Sequence, residues 1–172
     1  MRILFSGCLA AGLLVSQMAF AQSCARPADK TAFDVAGLKS QLMVTAITCE
    51  ATDRYNAFIM RYRPNLVAQE KVLTAYFSRN FGKRAQAQHD DYVTSLANSQ
   101  SENGLKSGTA FCNQNLAMFD QVMALHSGNE LADFASNRSI VQPIVLIACT
   151  TPDRSAHATV RQASLTTTHR TR

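Results

Sequence analysis

From Val35 onward, apolar residues recur along the chain at helical spacing. Val35, Leu38, Leu42, Ala46 and Cys49 follow one another at intervals of three, four, four and three residues. That spacing keeps one face of a helix turned toward a core, and Asp34 or Asp29 is placed to cap its start. A second stretch carries Tyr55, Phe58, Ile59 and Tyr62 behind Thr52 as its cap. Arg63-Pro64 interrupts it, because proline disfavours helical geometry in the preceding residue and suits the first turn of a new helix. A third helix then carries Leu66, Leu73, Tyr76, Phe77 and Phe81, with Gly82 as its stop. The pattern predicts a fourth helix over about 84–101, with His89, Tyr92, Val93, Leu96 and Ala97 on one side. Asn103-Gly104 reads as a turn. A fifth helix over 105–126 points Leu105, Cys112, Leu116, Phe119 and Met123 inward, Ser127-Gly128 ends it, and a short sixth over 129–135 adds Leu131 and Phe134. Residues 140–149 are β-branched and apolar around Pro143, which fits either an extended strap across the bundle or a last helical turn. Strand signals are scarce before residue 139, so the expected fold is all-α: an up-and-down bundle of five or six helices with short links.

The two ends of the chain follow a different pattern. Residues 1–21 hold Arg2, an apolar run and Ala19-Phe20-Ala21. One positive charge, an apolar core and small residues at the −3 and −1 positions make a secretory signal peptide, with Gln22 as the new N-terminus after cleavage. The run is short for a membrane span, and no later segment approaches that length. Cys8 comes too early for lipid attachment, and Cys24 follows Ala21-Gln22-Ser23, which lacks the small apolar context that attachment prefers. Residues 151–172 are rich in Ser, Thr and Arg and have no aromatic residue. Such a tail cannot bury enough apolar area to offset its ordering entropy, so it is expected to be disordered. One helical domain, 22–150, lies between, and the expected location is periplasmic or secreted.

Export changes the meaning of the cysteines. Cys8 leaves with the signal, and Cys24, Cys49, Cys112 and Cys149 remain. Four cysteines in an exported chain read as two disulfides. Cys24 and Cys149 bracket the domain while Cys49 and Cys112 fall on apolar helical stripes. The preferred pairing is therefore Cys24–Cys149 with Cys49–Cys112, and the alternative is Cys24–Cys112 with Cys49–Cys149. Each bridge would close a long loop and contribute about 2–4 kcal/mol, mainly by restricting the unfolded chain. No CxxC or paired-His spacing points to a metal site or to redox catalysis.

The net charge of +5 is concentrated at the ends. Residues 151–172 carry Arg154, Arg161, Arg170 and Arg172 against Asp153, whereas residues 22–150 hold twelve Lys and Arg against eleven Asp and Glu. A nucleic-acid binder should show a basic face on its folded body, so no nucleic-acid partner is expected.

The chain carries no Gly-x-Ser-x-Gly elbow, no CxxCH haem attachment motif and no Gly-rich phosphate loop. No cofactor is expected, and enzymatic activity is the less favoured reading. His89-Asp90-Asp91 is the local group with acid–base character, but adjacent carboxylates do not share a helical face, and a metal there would need ligands from elsewhere, such as His126. Arg54, Tyr55, Arg61 and Arg63 form the strongest candidate for a binding surface, since Tyr and Arg are the residue types that anchor interfaces. The competing reading is that Tyr55, Phe58 and Tyr62 are core residues.

Leu38-Lys39-Ser40-Gln41-Leu42 before Cys49, Tyr55-Asn56-x-Phe58 before Tyr62-Arg63-Pro64, and Phe111-Cys112 resemble a group of small exported proteobacterial proteins with four cysteines, over roughly residues 24–125. The resemblance implies compartment and fold, and no activity. In architecture alone the chain is also similar to the plant invertase and pectin-methylesterase inhibitors, although their first two cysteines are closely spaced and Cys24 and Cys49 are not; likeness of fold does not transmit function. The leading expectation is a non-catalytic domain that binds an envelope protein partner. The alternatives are a small-molecule carrier with a cavity between helices lined by Phe58, Tyr76, Phe77, Phe119 and Met123, and a hydrolase or metal enzyme using His89.

Overall fold

The structure, a computed structural model, describes residues 25–108 and 110–149. The expected signal peptide, Cys24 and the 151–172 tail lie outside the described residues. Within them the protein is all-helical: α1 (Pro27–Thr48), α2 (Thr52–Phe81), a 3-10 turn (Gly82–Arg84), α3 (Ala85–Ser107), α4 (Ala110–Ala124) and α5 (Gly128–Ser136). The stripe Val35, Leu38, Leu42 and Ala46 is buried as its spacing predicts. α1 is the hub and packs against the four other α-helices.

The packing alternates in direction. Asp29 of α1 meets Arg79 of α2 and Lys39 meets Glu70, so the two run antiparallel. Phe77 of α2 lies against Tyr92 of α3 and Glu70 meets His89. Gln41 of α1 bonds Asn115 of α4, while Cys49 is bridged to Cys112 at a Cα separation of 5.6 Å. That bridge excludes the alternative pairing of Cys49 with Cys149.

Several element boundaries differ from the sequence pattern. Pro64 lies inside one continuous helix instead of starting a new one. An internal proline costs about 3 kcal/mol through its missing N–H and its clash with the preceding turn. Here it stands on the solvent face, one turn from the exposed Met60, while Phe58 and Tyr62 before it and Leu73 and Phe77 after it are buried. Each such burial contributes about 1.5–3 kcal/mol, so packing on both sides outweighs the break.

Asn103-Gly104 is likewise helical, and α3 runs on to Ser107. Gly104 serves packing: a Cβ there would stand 3.3 Å from the Phe111 ring. The break falls at Gly108, whose φ of +54° is open to glycine at little cost. Moving the break leaves Leu105 on α3, off the buried line Tyr92, Leu96, Gln100 and Gly104, and Leu105 is 83% exposed instead of inward. Val93 is also exposed. Neither predicted helix cap holds. α1 starts at Pro27 with Asp29 in its first turn, and Asp34 lies mid-helix, accepting from Lys30 at 2.6 Å. Ala51, not Thr52, takes the N-cap position of α2. Ser127, read as a stop, instead caps α5, its hydroxyl accepting from the Glu130 N–H at 3.2 Å.

Residues 139–149 form a strap without helix. The Gln100 amide donates to the Val141 carbonyl at 3.2 Å, and the Tyr92 hydroxyl donates to Gln142 at 3.1 Å. A parallel backbone bridge then joins Ala148 to Ala25, with the Cys149 N–H donating to the Ala25 carbonyl at 2.9 Å.

Candidate functional site

The four residues singled out as a binding surface lie in the first half of α2, but they face different ways. Arg54 forms an ion pair with Asp120 of α4 and lies over the Phe119 ring at 5.2 Å. Seven residues on, Arg61 donates to the Leu125 carbonyl at 2.7 Å. Tyr62 is buried, and its hydroxyl donates to the Val122 carbonyl at 2.7 Å, with the Leu125 carbonyl 3.1 Å away. The last carbonyls of a helix have no partner within it and carry its negative dipole end. Arg61 and Tyr62 satisfy those of α4, so this side of α2 is spent on fixing α4 in place. Tyr55 is half-buried against the same core, and burial pushes its phenol up.

Arg63 points elsewhere. It is exposed and meets no carboxylate among the described residues. Met60 at 78% and Val67 at 48% exposure flank it on the outer side of α2.

The other sequence candidates are dispersed. His89 lies half-buried against Phe77, its Nε2 3.1 Å from Glu70, which also meets Lys39 at 3.7 Å. Asp90 and Asp91 accept from Gln86 and Gln88 of their own helix. His126 instead pairs with Glu130 at the start of α5. No group of three His, Cys, Asp or Glu among the described residues could hold a metal ion. Phe58, Phe77 and Phe119, expected to line a carrier cavity, are buried core side chains, and Tyr76 and Met123 pack against that core. The α1–α2 seam beside Val35 and Leu73 leaves a void of about 10 Å³, roughly the space of one water. No helix among the described residues is long and apolar enough to cross a membrane.

One concave feature had no forerunner in the sequence. An open groove of about 460 Å³ lies between α3, α4 and the start of the strap, lined by Gln41, Asn103, Gln114, Asn115, Asn137 and Arg138 among others. Its polar residues come one to three at a time from four separate segments, so no local motif marks it. The faint signal is the abundance of Asn and Gln between residues 100 and 115. Comparison of the chain with protein-family models, curated proteins and solved structures finds no match to any of them.

Proposed function

We propose that this chain is an exported, non-catalytic helical domain that acts by binding an acidic envelope protein. The contact is the outer face of α2 around Arg63. Arg54, Tyr55 and Arg61 hold that stretch of helix rigid against α4. The carrying observation is that Met60 and Val67 stand exposed on either side of an arginine that no carboxylate neutralises among the described residues. Large apolar side chains next to Arg are the composition of interface anchors. Rigid presentation lowers the ordering cost of association.

The reading includes removal of residues 1–21 and a second disulfide, Cys24–Cys149. The backbone bridge between Ala25 and Ala148, each one position along the chain from one of these cysteines, supports that pairing. The mature protein is then expected to begin at Gln22 with no free thiol, which intact-mass measurement with and without reduction will read. A photocrosslinker at position 60 should give one discrete adduct in the native envelope, lost with Arg63→Glu and not formed from position 47. The same adduct pattern from both positions, or none from 60, would end the proposal.

A further inference from the structure

The groove between α3, α4 and the strap has a consistent chemistry. Its volume of about 460 Å³ lies in the range of small-ligand sites. Five carboxamides line it, Gln41, Asn103, Gln114, Asn115 and Asn137, and each carries both a donor and an acceptor. The inner two are fixed: Gln41 is buried and donates to Asn115 at 3.3 Å, and Asn115 donates to the Phe111 carbonyl at 2.8 Å.

No carboxylate is among the described residues of the lining, and its cation is Arg138. That guanidinium is held in place by neutral groups. It donates to the Gln121 side-chain oxygen and lies 4.4 Å from the centre of the Phe134 ring. Its charge is therefore positioned without being neutralised. Met118 and Ile140 supply an apolar patch beside it.

We propose that this groove binds a short extended peptide bearing a free carboxylate. Carboxamides match the alternating N–H and C=O of a peptide backbone. The free N–H groups of Arg138 match the two oxygens of a carboxylate. Met118, an adaptable side chain, accommodates one small apolar residue of the ligand. A neutral glycan fits less well: it would leave Arg138 without an anion, and no aromatic ring for a sugar to stack on is among the described residues of the lining. None of these residues lies on α2, so the site is separate from the Arg63 face.

The test is calorimetric titration of the oxidised, full-length exported protein with N-acetyl-Ala-Val-Ala and with its C-terminal carboxamide. The acid is expected to bind at least about tenfold more tightly than the carboxamide, a difference of about 1.4 kcal/mol. Arg138→Gln should erase that difference. Gln114→Glu, at an exposed position, removes one backbone contact from both ligands and should weaken the acid about tenfold more than the carboxamide through added repulsion. Equal binding of the two forms, no binding of the acid at millimolar concentration, or binding of N,N′-diacetylchitobiose in place of the peptide would overturn the assignment.

Discussion

At one end of the bundle, Leu38, Leu42, Phe58, Phe119 and Leu131 gather side chains from α1, α2, α4 and α5, next to the Cys49–Cys112 bridge. At the other, Phe33, Leu73, Phe77 and Tyr92 come from α1, α2 and α3. The second core is aromatic: Phe33 lies 4.8 Å from Tyr92 and 4.9 Å from Tyr76, and Phe77 stacks on Phe81 at 5.7 Å. The first joins segments distant in sequence, its bridged cysteines standing 63 positions apart, and a covalent link lowers the entropic cost of bringing such segments together. The second rests on the α2–α3 hairpin, closed by a single 3-10 turn, where loop closure costs little and ring packing supplies the cohesion. Ring packing thus joins α1 to the α2–α3 hairpin at one end, and a covalent link ties α1 to α4 at the other.

The largest expected effect is in the aromatic core. Phe77→Ala should destabilise the protein by about 3–5 kcal/mol, since the ring is fully buried and touches Phe33, Phe81, His89 and Tyr92. Urea unfolding will show it, and the cost should be the same with the Cys49–Cys112 bridge intact or removed if the two cores are independent. Next, Cys49→Ser with Cys112→Ser should cost about 2–4 kcal/mol. Hydrogen exchange in that variant should quicken first in α4 and α5, with α2 and α3 slower to respond; uniform acceleration would show one cooperative core.

The smallest effect concerns the clamp at the aromatic end. Buried Asp29 accepts from Arg26 at 3.0 Å and from Arg79 at 2.7 Å, and these partners hold its carboxyl below the usual range, Arg26 contributing most. Because its folded value is depressed, its stabilisation is complete above the unfolded carboxyl pKa of about 4 and is lost as pH falls through the lower folded value. Asp29→Asn should therefore cost about 1–2 kcal/mol at pH 7, given that both arginines are partly in solvent. Its stability curve should meet that of the parent chain in acid, as thermal melts across pH 2–7 will show.

How far the fold could be read beforehand varies from helix to helix. α1 was legible because four of its stripe residues face one continuous core, so periodicity alone located them. The sequence pattern divides α2 in two, because proline's local preference is visible in it while the burial of Phe58, Tyr62, Leu73 and Phe77 on both sides of the proline is not. The α3–α4 boundary was displaced from Gly104 to Gly108 for a related reason. Both are glycines, but one makes room for Phe111 and the other takes a positive φ. At the candidate surface, composition marked Arg54, Arg61 and Arg63 alike. The structure separates two that hold α4 from one that faces solvent.

The sequence by itself determined the helical class and the inward line of α1, because periodicity is a property of neighbouring residues. The tertiary structure alone decided which arginines are occupied, where α3 stops and that five carboxamides meet Arg138 in one groove. Those outcomes depend on contacts between residues far apart in the chain, whose energies no local pattern carries.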